Sequence, residues 1–211
     1  QTAHFEANAE RYDCWYDEHE AVFKSEVNAI GELLRKLPED IHGIEVGLGT
    51  GRFATALGIQ EGIEPADTLR QMAMDRGLEV MDARAERLPY GDLQFDFVLF
   101  VTICYLEDLT RAFGEAFRVL KDGGAVIVGF IDREQPIGQS YIDRRKNSVF
   151  YRTAHFYSPE LVTKKLKEAG FRDFEYVQTL FGEIDEIDEV HEIRDGHGEG
   201  GFVVVKATKK A

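Results

Sequence analysis

At 211 residues the chain has room for one sizeable domain with its own core. Its 39 acidic and 25 basic side chains give a net charge of −14. That balance speaks against duplex nucleic acid as a partner, because phosphate binding needs a basic footprint, and the basic cluster Arg144-Arg145-Lys146 reads as a solvated turn. No apolar run approaches the ~20 residues that span a bilayer. The start Gln1-Thr2-Ala3-His4 is polar rather than a signal peptide. Cys14 and Cys104 are too few and too far apart for a disulfide framework, so a cytoplasmic setting is expected.

Residues 5–34 mix charged residues with Phe5, Tyr12, Trp15, Tyr16 and Phe23, and read as helical. A first strand is expected at 43–46 and a second at 61–64. Pro65 is expected in the first turn of a helix that runs through Leu69, Met72 and Ala73 to Gly77. Strands at 78–81, 95–101 and 125–130 follow. Before the last of these, a helix shows Leu109, Ala112, Phe113, Ala116, Phe117 and Leu120 on one face, with Asp108 as its cap and Gly123-Gly124 as its stop. Residues 132–157 show neither a clean strand nor a clean helix, and their aromatic content suggests an ordered cap. Ser158-Pro159-Glu160 starts a helix that ends at Gly170, and strands at 174–181 and 202–207 close the chain. Strands alternating with helices predict an α/β fold with a largely parallel sheet.

The most informative stretch is Glu45-Val46-Gly47-Leu48-Gly49-Thr50-Gly51, with Arg52-Phe53-Ala54-Thr55-Ala56-Leu57 as the helix after it. Strand, glycine turn and helix together make a nucleotide-type crevice, and glycine lets the backbone turn sharply and lie flat against a ligand. A dinucleotide fingerprint requires a different spacing, since Arg52 follows Gly51, and no Gly-Lys-Ser/Thr of a P-loop is present. Glu64 ends the second strand beside this turn, where its two oxygens could accept both hydroxyls of a ribose. The competing reading is a solvent-exposed acid near a helix N-terminus.

The glycine pattern after an acid resembles the first motif of the class I S-adenosylmethionine-dependent methyltransferases. Ala85-Glu86-Arg87-Leu88-Pro89-Tyr90, followed by Phe95-Asp96, is similar to a later loop of that family and to the opening of its fourth strand. The resemblance covers residues 41–130. The Leu120-Lys121-Asp122-Gly123-Gly124 turn and the opening Tyr12-Asp13-Cys14-Trp15-Tyr16 extend it towards the ubiquinone- and menaquinone-pathway subfamily. It implies a single domain over 1–211 with a Rossmann-like sheet of seven strands, mostly parallel with the last antiparallel, and helices on both faces. The implied parts are an N-terminal helical lid (1–36), a cofactor-binding half (41–130), a cap insertion after the fifth strand (132–157) and a C-terminal helix with strands (158–211).

The resemblance also implies S-adenosylmethionine as cofactor, S-adenosylhomocysteine as product and a small-molecule acceptor. By the same resemblance, Glu45, Gly47, Gly49, Gly51, Glu64, Pro65, Val101 and Thr102 surround the cofactor. Backbone groups at Ala85 and Glu86 read adenine, and Tyr12 and Trp15 close over the site. Arg84 stands where the family often has Asp or Thr, and Asp82 is a substitute for that contact. The strand ends and the cap offer Tyr16, Cys104, Tyr105, Asp132, Tyr141, His155 and Tyr157 to the acceptor. His155 reads as a base or as a structural histidine, and Cys104 as a small apolar residue rather than a nucleophile. Transfer by alignment and water exclusion requires no fixed catalytic residue, and none is assigned.

The acidic run 183–189, with His191 and His197 nearby, reads as a half-buried segment with a solvated face rather than a metal site. A protein that binds S-adenosylmethionine without catalysis remains an alternative, as does a homodimer that shares its cap. Arg52 disfavours a nicotinamide-dependent oxidoreductase.

Overall fold

The computed structural model describes residues 3–210; Gln1 and Thr2 of the polar start, and Ala211, lie outside the described residues. The strands are β1 (Gly43–Val46), β2 (Glu61–Ile63), β3 (Glu79–Met81), β4 (Phe95–Val101), β5 (Leu120–Ile131), β6 (Arg172–Thr179), β7 (Arg194–Asp195) and β8 (Phe202–Thr208). They form one sheet in the order β3-β2-β1-β4-β5-β8-β6-β7. β1 pairs in parallel with β2 and β4, β2 with β3, and β4 with β5. β8 lies antiparallel between β5 and β6.

Strands covered on both faces read as continuous apolar runs, and Phe95–Val101 is such a run. Successive side chains alternate between faces. Leu99, Ile127 and Val204 meet one layer, which includes Ala29, Ile30 and Leu33 of α3 (Glu20–Leu34). Val98, Val126 and Val205 meet the other, which includes Phe113 and Ala116 of α6 (Leu109–Val119) and Leu166 of α8 (Pro159–Ala169). Local chemistry sets the helix ends. The Asp108 carboxylate accepts from Arg111 N, the Ser158 hydroxyl accepts from Leu161 N, and Gly170 ends α8 in the left-handed region.

Several expectations need correction. The sheet has eight strands, not seven. The additional strand, β7, is two exposed charged residues paired with Val177 and Gln178, too short to carry any hydrophobic alternation. β5 begins at Leu120 rather than at 125, because Gly123 (φ +81°) is absorbed into the strand with a register shift instead of ending the preceding helix. β6 covers 172–179 rather than 174–181. Pro65 precedes the helix α5 (Asp67–Asp75), whose cap position is Ala66, so it is not in the first turn. Residues 132–157 include a regular helix, α7 (Pro136–Arg144), with Pro136 in its first turn.

The order β3-β2-β1-β4-β5 puts a topological switch between β1 and β4, and the crevice outside their carboxyl ends is where open sheets bind ligands. The short helices α1 (Ala3–Glu6) and α2 (Ala9–Glu18) bring Phe5 and Tyr12 to that edge. The cap segment brings Tyr141 and Phe156 beside them.

Candidate functional site

The turn after β1 is tied down from behind. Gly47 N and Leu48 N donate to Ile63 O at 2.9 and 3.1 Å. Gly47, Gly49 and Gly51 all take positive φ, a region in which side chains are strained. Their surroundings separate their roles. A Cβ on Gly47 would meet nothing within 4 Å, and one on Gly49 would meet only the Tyr12 ring, at 3.6 Å. A Cβ on Gly51 would lie 2.5 Å from Leu78 Cδ1. The first two glycines leave room for a ligand, whereas the third lets α4 (Arg52–Leu57) pack against α5.

Glu64 is 6% exposed. Its Oε2 accepts from Gly49 N at 2.9 Å and its Oε1 from Ala66 N at 2.8 Å. Burial pushes this carboxyl above its ordinary range, and the two amide bonds pull back against that shift. Each oxygen still has acceptor capacity for a ligand hydroxyl. Glu45 on β1 is buried as well. Its Oε2 has no hydrogen-bond partner, and burial pushes its carboxyl well above the usual carboxylate range.

Two cavities adjoin at the end of β4. The first is lined by Gly47, Gly49, Glu64, Pro65, Ala85 and Glu86 among others. The second is lined mainly by aromatic rings, including Tyr16, Tyr141, Tyr151 and Phe156. Tyr12, Thr102, Ile103 and Tyr105 line both. Thr102 sits there with φ +59°, a conformation uncommon for a non-glycine residue and concentrated at functional sites. Its hydroxyl donates to Val101 O at 2.6 Å. The Tyr12 and Tyr16 hydroxyls, 2.9 Å apart, bridge from the first cavity to the second.

A buried clasp fastens α2 to the glycine turn. Asp13 Oδ1 accepts from the Thr50 hydroxyl at 2.6 Å and from Arg52 Nε at 2.9 Å. Asp13 Oδ2 accepts from Arg52 Nη2 at 2.8 Å and from Arg76 Nη2 at 2.9 Å. Burial alone would raise this carboxyl, but the bonds from Arg52, Thr50 and Arg76 outweigh it and hold it at about 2.

The cavities bring together most of the residues expected from sequence, with exceptions. Glu45 and Gly51 line neither cavity, being buried behind the turn. Trp15 lines the second cavity and not the first, so it stands with Tyr16 rather than with the glycine turn. Asp132 also lines neither: its Oδ1 accepts from Glu134 N at 2.9 Å and shapes the entry to the cap segment.

Tyr105, Tyr141, His155, Tyr157 and Cys104 all reach the second cavity. Burial pushes the Cys104 thiol up to about 12, which fits a small apolar residue. Glu86 Oε1 accepts from Glu107 N and Asp108 N, at 2.9 and 3.2 Å, tying its loop to the start of α6. Arg84 lines the first cavity and pairs with Glu107, while Asp82 is exposed, pairs with Arg70 and is not among the lining residues of that cavity. In the acidic run, Ile184 is buried and Asp185 pairs with Arg144, while His191 Nδ1 accepts from Phe181 N at 3.0 Å.

Sequence reasoning missed Glu26, which lines the second cavity. A signal was available. Glu26 falls on the helical stripe of Val22, Ala29, Ile30 and Leu33, a position where an apolar residue belongs.

A methyltransferase-domain family model matches residues 44–128. An uncharacterized protein of Methanocaldococcus jannaschii is 42% identical over 206 residues, covering 97% of this chain and 98% of that one. A crystal structure from Thermotoga maritima, described as an SAM-dependent methyltransferase and possible histamine N-methyltransferase, superimposes with a TM-score of 0.92 at 41% identity over 99% of both chains. A sarcosine/dimethylglycine N-methyltransferase of Halorhodospira halochloris is 31% identical over 167 residues, 70% of this chain and 59% of that protein.

Proposed function

The chain belongs to the S-adenosylmethionine-dependent methyltransferases, and from that premise we propose that it methylates a small molecule held in the aromatic cavity, with the cofactor in the glycine-turn cavity. The observation that carries this reading is the shared wall: Tyr12, Thr102, Ile103 and Tyr105 border both cavities, so their contents would meet there.

The residues of the first cavity fit the cofactor. Glu64 would accept the ribose hydroxyls with the lone pairs that Gly49 N and Ala66 N leave free. Gly47 and Gly49 would let the backbone lie against the cofactor, and the backbone at Ala85 and Glu86 would flank adenine. Pro65, Val101 and Thr102 would complete the walls. When bound, S-adenosylmethionine supplies a methyl group activated by its sulfonium. The chain's part is to align the acceptor and keep water out, and the ring-lined second cavity suits both tasks.

Among the described residues no helix is long and apolar enough to cross a membrane. Both cysteines are free thiols, in keeping with a cytoplasmic setting. No observation favours a binding protein without catalysis. The test is transfer of labelled methyl from S-adenosylmethionine to a panel of small amines, phenols, thiols and carboxylates, beside protein and RNA substrates. Labelling of a small molecule alone is expected. Labelling of only the macromolecules would overturn the reading.

A further inference from the structure

The acceptor cavity contains one carboxyl group that the chain itself leaves without a partner. Glu26 is 7% exposed and faces the cavity from α3. Among the described residues no hydrogen bond or ion pair reaches its carboxylate. A buried carboxylate that loses its hydration and gains nothing in return is costly. Its stripe neighbours Val22, Ile30 and Leu33 show that an apolar side chain would suit the position from the standpoint of packing alone.

The rest of the cavity has matching chemistry. No Lys or Arg lines it. Its walls offer the rings of Tyr16, Tyr141, Tyr151, Phe156 and Phe202. Tyr141 stacks on Tyr151 with centroids 4.6 Å apart and on Phe156 at 5.9 Å. Aromatic faces attract cations, more strongly where water is excluded. Apart from His155, the lining offers an anionic ligand no basic side chain.

We propose that the acceptor carries a cationic amine, held by the Glu26 carboxylate as its counter-charge and by the surrounding aromatic faces. The proposal deepens the methyltransferase reading and rests on it. It concerns the group that is recognised, and leaves open which atom of the acceptor is methylated. Burial pushes the Glu26 carboxyl up to about 8, so the resting subsite is largely neutral, and a bound cation would draw the group back to its ionised form. Burial also pushes the Tyr16 and Tyr141 hydroxyls up, so they stay neutral beside it.

The test is calorimetric titration of the protein saturated with S-adenosylhomocysteine. The probes are butylamine, 2-phenylethylamine, tyramine and histamine, the first three paired with the alcohols of the same skeleton. At least one amine is expected to bind ten-fold or more tighter than its alcohol, or, for histamine, ten-fold tighter than imidazole. Glu26→Gln is expected to abolish that preference while leaving the alcohol and S-adenosylhomocysteine affinities unchanged. Equal binding of every pair to the wild type would overturn the proposal without recourse to any variant. So would an amine preference that survives Glu26→Gln. Failure of S-adenosylhomocysteine to bind would instead strike at the cofactor reading, so the two failures are distinguishable.

Discussion

Replacing Asp13 with Asn removes the charge at the centre of the clasp between α2 and the glycine turn. The carboxylate accepts from Thr50, Arg52 and Arg76, so one group holds the helix carrying Tyr12, Trp15 and Tyr16 against the start of α4 and the end of α5. Its carboxyl titrates at about 2 in the fold against an ordinary 3.8. That difference is worth about 2.5 kcal/mol at neutral pH. Discounting for screening of the partly exposed arginines leaves about 2 kcal/mol expected from Asp13→Asn. The sign follows from a depressed pKa. The contribution is fully present above about pH 4, about half of it remains at pH 3, and it is lost as pH falls through 2. Urea unfolding of wild type and variant at pH 7, 4 and 3 reads it directly. The gap between the two should be largest at pH 7 and narrow at pH 3. A loss below about 0.5 kcal/mol at pH 7, or a gap that ignores pH, would refute the reasoning.

Glu26→Gln should behave in the opposite sense. With a folded pKa of about 8 and an ordinary value of 4.5, the wild type carries a cost that is absent at low pH and grows through this window. The variant should therefore gain on it by about 4 kcal/mol between pH 5 and 8.5, as seen in chemical denaturation, and parallel stability curves would count against a buried, unpartnered acid. Gly51→Ala combines a positive φ with a close approach to Leu78 and should cost about 2 kcal/mol by the same measurement. A neutral effect would mean that the α4–α5 contact is looser than described. Glu64→Gln turns one amide donor of its own towards Gly49 N or Ala66 N and should cost about 1–3 kcal/mol in stability. Unchanged unfolding would deny that these two bonds are made.

Features encoded locally were legible in the sequence. The glycine turn, the Asp108 and Ser158 caps and the Gly170 stop depend on side chains and dihedrals within a few residues, and spacing reveals them. Glu64 was legible because a strand end beside a glycine turn has few places to point its carboxylate. Features that need a distant partner were not. β7 exists only because β6 offers it an edge. Trp15 and Tyr12 share a helix and an aromatic character, and only the packing of α2 turns one towards the second cavity alone and the other towards both cavities. Asp132 leaves a strand at the ligand edge, as expected, but its own backbone takes up its carboxylate. Glu26 lay on a visible apolar stripe, yet an acid in a mixed helix reads as solvated until the rings of the cap are known to cover it.

The most direct test of the cofactor's seat is calorimetric titration of S-adenosylhomocysteine into the wild type and Glu64→Ala, with the melting temperature of each as a control on the fold. One site per chain in the wild type, weakened ten-fold or more in a Glu64→Ala protein that still melts cooperatively, is the predicted result. Equal affinity in the two folded proteins would contradict the account, because the cofactor's ribose would then lie somewhere other than against Glu64.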